Sequence, residues 1–270
     1  TTGTISQWKS NGKMVAQNGP RANLWRAPTS NDIGTGFNPD PRFSFHGKLW
    51  QKYGLDNLII KKSKVTISRT GKGVVVLTRQ TLEGNKSRFN AVITHVINPD
   101  GAVDINYKLT CSKKFNLPRV GLMLELSKEF SQVEWLGRGP QENYRDRSYA
   151  AHWGLYRKNV DSMVTPYIKP QENGNRYDVD RVSIFNPNGT SGIEVAGKSF
   201  CFSIHPYSLE TLTKATHTPD LVESPVNHLY IDLAQNALGS ESFFYNYLQE
   251  YVLKGKKFEF QVSIKPVTKN

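Results

Sequence analysis

Four segments crowd side chains that could do chemistry into short, turn-rich stretches. The first is Leu24-Trp25-Arg26-Ala27-Pro28-Thr29-Ser30-Asn31-Asp32-Ile33-Gly34. Pro28 keeps Ala27 out of the helical region, and Asn31 and Asp32 can bond their own backbone. Arg26 and Asp32 read either as ligand contacts or as a guanidinium–carboxylate clamp that holds the loop. The second segment, Trp135 to Arg147, folds tightly at Gly137, Gly139 and Pro140 and then presents Glu142, Asn143, Tyr144 and Arg145. An aromatic face beside carboxamide and carboxylate acceptors suits sugar hydroxyls; packing on a partner domain would use the same residues. In the third, Tyr167 to Arg176, Asn173-Gly174 marks a turn and Glu172 is a possible acid or base. No second carboxylate is paired with it in the sequence. The fourth, Ala237 to Tyr247, holds Phe243, Phe244, Tyr245 and Tyr247, which cannot all face one core. The loops at 137–147, 165–176 and 237–247 are therefore expected to form an exposed functional surface.

Other chemistries find no support. The sequence has no GxSxG elbow, GxGxxG loop, Walker A motif or HExxH pair. His46, His95, His152, His205, His217 and His228 form no short metal-spaced pair. Cys111 and Cys201 lie too far apart for a ligand motif; one bridge between them is open, and two buried thiols is the preferred reading. Asn85-Lys86-Ser87 and Asn188-Gly189-Thr190 match the glycosylation sequon by chance.

The elements that must position these segments are strands. Apolar residues alternate with polar ones at Phe89, Ala91 and Ile93, with His95 on the same face, and at Val103, Ile105, Tyr107 and Leu109. They alternate again at Val120, Leu122, Leu124 and Leu126, and at Phe258, Phe260, Val262 and Ile264. Val74 to Leu77 is a continuous apolar run, expected to be covered on both faces. Asn98-Pro99-Asp100-Gly101 and Asn186-Pro187-Asn188-Gly189 read as hairpin turns. Two short helices are expected: one carrying Phe45, Leu49 and Tyr53 and ended by Gly54, the other capped by Ser208. Residues 137–175 read as long loops. The fold class is all-β, a large antiparallel β-sandwich in a single domain spanning 1–270.

With 270 residues and 11% aromatics the chain can build a substantial core. The net charge is +12, but Lys and Arg are scattered, Lys61, Lys62 and Lys64 being the densest group, so no nucleic-acid partner is expected. No run approaches the roughly 20 apolar residues of a membrane helix, and no membrane partner is expected. No signal peptide is visible, and the opening residues read as the start of a strand in a piece cut from a longer protein.

Taken together, the segments resemble a known family. Trp25 to Gly34 resembles the stretch RAPxxNDIG, Trp135 to Asp146 resembles WLGxGPQENYxDR, and Thr165-Pro166-Tyr167 with Glu172-Asn173-Gly174 resembles YTPYxxPxENG. Order and spacing agree over nearly the whole chain. The resemblance is to the C-terminal domain of the large β-galactosidases of glycoside hydrolase family 2. It implies a galactose-mutarotase-like supersandwich. It also implies that the catalytic glutamates and the magnesium and sodium ligands lie in a separate (β/α)₈ barrel absent here, so that this domain is non-catalytic and holds no cofactor. A retaining hydrolase needs two carboxyl groups roughly 5–5.5 Å apart. The implied partners are the rest of the β-galactosidase chain, galactosides and, in the full enzyme, further copies of itself. The implied compartment is cytoplasmic or periplasmic, with nothing to choose between them. The family's terminal domain can lend an aromatic to the sugar site; that position falls at Phe244, or at Phe243 if the loop slips by one. The alternative is a self-sufficient carbohydrate-binding module using loops 137–147 and 237–247. An independent aldose mutarotase finds no evident His/Glu pairing in the sequence.

Overall fold

The computed structural model describes residues 3–10, 12–34, 45–71, 73–239 and 247–268. In chain order the strands are β1 (Trp8–Ser10), β2 (Lys13–Asn23), β3 (Ile59–Thr70), β4 (Gly73–Gly84), β5 (Ser87–Ile97), β6 (Val103–Asn116), β7 (Arg119–Ser127), β8 (Gln132–Gly139), β9 (His152–Asn159), β10 (Arg176–Phe185), β11 (Ser191–His205), β12 (Val226–Gln235) and β13 (Lys254–Thr268). The helices are α1 (Ser30–Ile33), α2 (His46–Lys52) and α3 (Leu209–Lys214).

All pairings are antiparallel, in the order β1-β2-β7-β12-β11-β13-β6-β5-β4-β3. Strands β10, β8 and β9 leave this path from the other edge of β11. The expected antiparallel β-sandwich is thus one continuous sheet, curled so that its two arms share a core. Strand β11 makes the curl. Its first half, Ser191 to Gly197, pairs with β13, and its second half, Cys201 to His205, pairs with β12. Between them Ser199 takes a positive φ of 48°, opposite an irregular stretch of β10 in which Asp178 has φ 58°. Such backbone is uncommon outside glycine. Here it is held by the Ser199 hydroxyl on Asp178 at 2.6 Å and the Ser199 amide on Asp180 at 2.9 Å.

Alternation reads through to burial in β5, β6 and β13: Phe89, Ala91, Ile93, His95, Ile105, Tyr107, Leu109, Phe260 and Ile264 are all buried. Helix α2 ends at Gly54, which is left-handed, and Ser208 caps α3 by accepting from the Thr211 amide. Both expected hairpin turns form, with Gly101 and Gly189 at positive φ. Cys111 and Cys201 are free and buried.

Two expectations about elements need correction. Val74 to Leu77 is only half-buried, because β4 lies between β5 and the exposed strand β3 and has one open face. Residues 137–175 are not all loop: β8 runs to Gly139 and pairs with β9. In β9 the apolar Trp153 and Leu155 point outward, at 52% and 59% exposure, so burial does not follow hydrophobicity there. Lys61, Lys62 and Lys64 lie on β3, which pairs only with β4; charged edge strands of this kind discourage pairing with other chains.

Candidate functional site

The sequence segments converge on one another by hydrogen bonds between main chain and buried polar side chains. Arg26 and Asp32 are fully buried, and one guanidinium nitrogen donates to both carboxylate oxygens at 2.9 Å. The same guanidinium donates to the carbonyls of Asn236 at 2.6 Å and Ala237 at 3.0 Å, tying the first segment to the fourth. Asp32 also closes the capping box of α1 with Thr29 and accepts from the Tyr247 hydroxyl at 2.7 Å. The Tyr247 ring stacks on His46 of α2, with centroids 4.2 Å apart. Asn31 donates to the Leu238 carbonyl, and the Asp146 carboxylate accepts from the amides of Leu238 at 2.9 Å and Gly239 at 3.0 Å. Residues 236–239 are therefore held by Arg26, Asn31 and Asp146 just before residues 240–246.

The second and third segments form the other wall. Glu142 accepts from the Gly174 amide at 2.7 Å and from the Tyr167 hydroxyl. The Asn143 side chain binds the Tyr177 amide, and the Asn175 side chain binds the Asn143 carbonyl. Gly174 carries the turn at φ 74°, where a Cβ would stand 2.6 Å from the Met163 carbonyl oxygen. The Asn173 carbonyl bonds His205, and the Asn173 side chain holds the Thr165 amide. The Glu172 amide reaches the Ala27 carbonyl, joining this wall to the first segment.

Beneath both walls lies a group that sequence reasoning did not assemble. Arg119 bridges two carboxylates, Asp232 at 2.9 Å and Glu172 at 3.2 Å, and Gln235 bonds Glu172 and Asn175. Gly121 leaves room for Asp232, since a Cβ there would meet its Oδ1 at 2.1 Å. Glu172 thus has a second carboxylate beside it after all. Burial raises the Glu172 pKa against the opposing Arg119 and Arg26 charges. Burial likewise pushes Asp232 up to about 7, opposed by Arg119. Burial works hardest against the Arg26 charge, but Asp32, Tyr247 and Glu172 together outweigh it, so that pKa is raised. Both bridged carboxylates are sealed from solvent, with Glu172 at 3% exposure and Asp232 at 0%. An acid and base for an external substrate must reach it, so this group is a strut. The signals for it were Arg119 and Asp232, charged residues inside apolar alternating runs, where burial demands a partner.

The exposure of these loops is uneven: Gln141, Arg147, Ile168 and Lys169 are exposed, and residues 240–246 lie outside the described residues. Asn143 and Asn173 are buried because their side chains satisfy turn backbone, Glu172 because its carboxylate binds Arg119 and Gln235; Tyr144 is also buried, while Glu142 and Arg145 are half-buried. The clamp reading of Arg26 and Asp32 is the one the geometry takes. Phe243 and Phe244 lie outside the described residues. Among the described residues no three His, Cys, Asp or Glu side chains group to hold a metal ion. The buried carboxylates face guanidinium groups, so this donor set does not fit magnesium or sodium.

A curled antiparallel sheet whose buried charges fasten its own turns and connecting segments defines an all-β domain with a rigid polar frame inside it. Comparison with known proteins narrows the class. The family model described as "Beta galactosidase small chain" matches residues 1–264, and the chain belongs to that family. It is similar to a β-galactosidase of Vibrio cholerae, 33% identical over 273 residues, covering 98% of this chain and 25% of that protein. A β-galactosidase of Psychromonas ingrahamii is 30% identical, covering 96% of this chain and again 25% of the relative. The chain therefore spans about a quarter of the length of these relatives. Among solved structures it is similar to an aldose epimerase homologue from C. elegans, at 9% identity and a TM-score of 0.44, covering 100% of this chain and 79% of that one.

Proposed function

We propose that the chain is the non-catalytic C-terminal domain of a β-galactosidase that hydrolyses terminal β-D-galactosyl residues, and that it forms one folding unit. It supports the catalytic barrel and lends the loop after Gly239, with Phe244 or Phe243, to the wall of the sugar site. The observation carrying this reading is the fixing of residues 236–239: Arg26 holds the carbonyls of Asn236 and Ala237, Asn31 that of Leu238, and Asp146 the amides of Leu238 and Gly239. A loop that stacks on a sugar works best when its base does not move, and two other sequence segments converge on that base. Magnesium and sodium belong to the barrel, and the partners are the rest of the enzyme, its galactoside substrate and further copies in an oligomer.

Aryl β-galactoside hydrolysis tests this. The chain alone gives no turnover, the remaining polypeptide alone is impaired, and the two together are active. Asp146→Ala in the assembled enzyme raises KM more than it lowers kcat, because loosened stacking is mostly lost from ground state and transition state alike. Turnover by the chain alone that disappears on replacing one of its own glutamates, or full activity without the chain, overturns the proposal.

A further inference from the structure

One opening in the molecule lies away from the loops at 137–147 and 165–176. It is a cleft of about 850 Å³ between the two arms of the sheet, bordered by β2, β4, β7, β12 and α3. That volume falls in the range of roughly 300–1,000 Å³ typical of small-molecule sites. Trp25 marks its relation to the motif loops: Arg26 enters the buried lattice, while its neighbour Trp25 lines the cleft.

The cleft contains a buried group with nothing to bind. His228, only 5% exposed, lines it, and neither ring nitrogen has a hydrogen-bond partner. Buried polar groups are seldom left so. Directly across from His228 in β7 is Glu125, which holds Arg21 at 2.9 Å and lines the same cleft. The imidazole can donate or accept, the carboxylate accepts and the guanidinium donates. Leu24 and Leu82 supply an apolar strip beside them.

We propose that this cleft is a carbohydrate site separate from the loop after Gly239, and that it takes a neutral pyranose, as a mono- or disaccharide. The charges explain the neutrality. Arg21 is matched by Glu125 and Lys214 by Glu210 at 2.7 Å, and the remaining charged lining residue, Asp56, is acidic. Such a lining offers no uncompensated cation to a phosphate or carboxylate. It does offer what a pyranose needs: donors and acceptors for adjacent hydroxyls, with an apolar surface for the C–H face of the ring. The His/Glu pairing that no sequence spacing revealed is made across two strands.

The histidine ring signals of the protein in NMR, titrated with lactose, glucose and inorganic phosphate, test the site. Lactose or glucose should shift the His228 signals saturably in the millimolar range, and phosphate should not. Saturation-transfer NMR then reads the variants. His228→Leu, which removes no existing hydrogen bond, should abolish sugar binding at this site. Glu125→Gln, which keeps the shape, should weaken it about tenfold, the scale of a hydrogen bond to a charged group. Phe244→Ala should leave it unchanged, which separates this site from the loop. A cleft that holds only water leaves the His228 signals unmoved by sugar and overturns the proposal. So does binding that survives both cleft variants, or phosphate binding as well as lactose.

Discussion

Acid should unfold this protein before it reaches pH 4, and three buried histidines set the reason. His95, His205 and His228 are at most 5% exposed. Burial pushes each imidazole pKa down from 6.5 to about 4. The groups facing them do not reverse this: the Asn173 carbonyl and Glu142 near His205, and Glu125 near His228, only moderate it. Between pH 6.5 and 4 the unfolded chain therefore binds protons that the folded chain refuses, and stability is lost as pH falls through that window. At about 1.4 kcal/mol per pH unit, each histidine contributes a loss of about 3 kcal/mol, or about 10 for the three. Asp232 acts with the opposite sign. Burial lifts its pKa from 3.8 to about 7. Between those values the folded state holds a proton that the unfolded state releases, so acidification returns about 4 kcal/mol. His46, pushed down to about 4 by burial, adds to the loss, and Glu172, whose pKa burial raises, acts like Asp232; the balance is a loss of several kcal/mol, a large part of a total domain stability of roughly 5–15 kcal/mol. Urea unfolding followed by tryptophan fluorescence, with the fully buried Trp50 and Trp135 as reporters, should show the midpoint falling steeply below pH 6.5. His95→Leu should be about 2 kcal/mol more stable than the parent at pH 5, relative to its difference at pH 8. A midpoint that stays level from pH 7 to pH 5, or an NMR titration placing these rings near 6.5, refutes the reasoning.

Asp32→Ala leaves Arg26 buried without its carboxylate and removes the carboxylate half of the α1 capping box; calorimetry should show a loss of about 3–5 kcal/mol. Gly174→Ala forces a side chain into left-handed backbone and against the Met163 carbonyl, and should lose more than about 1 kcal/mol by the same measurement. In the assembled β-galactosidase, Phe244→Ala should raise KM about fivefold with a smaller fall in kcat, the loss of one aromatic contact of about 1 kcal/mol; an unchanged KM refutes the stacking role. The single-domain reading expects one thermal transition, and two separate transitions would divide the chain.

Strand content was legible because one face of β5, β6 and β13 meets the core and the other meets water, so hydrophobicity and burial share a period of two. The signal fails where that condition fails. Strand β7 is buried on both faces over Arg119 to Leu124, so its alternation said nothing about which side faces the other arm. Strand β9 exposes Trp153 and Leu155, inverting the rule that made the other strands readable. The motif residues were legible as a set but not in their role. A string such as Gly-Pro-Gln-Glu-Asn-Tyr looks like an exposed polar surface, because composition cannot tell a solvated carboxylate from one accepting an inward amide, as Glu142 does from Gly174. The Arg119–Asp232–Glu172 bridge joins residues from three separated parts of the chain, and no local spacing could announce it.

That misreading points to what the motifs do. Ion pairs fully out of water are weak sources of stability, since desolvation consumes most of the Coulomb gain. Two of them here, Arg26–Asp32 and Arg119–Asp232, have both partners at 0% exposure. Apolar residues would fill the same space at lower cost. A salt bridge, however, fixes direction where apolar packing does not, and Arg26 uses its spare donors to hold the carbonyls of Asn236 and Ala237. The Asp146 carboxylate does the same for the next two amides. Directional bonds thus meet at residues 236–239 from two separate stretches of the chain, one holding Arg26 and Asn31 and the other Asp146. An expensive internal frame of this kind is expected where geometry matters more than free energy.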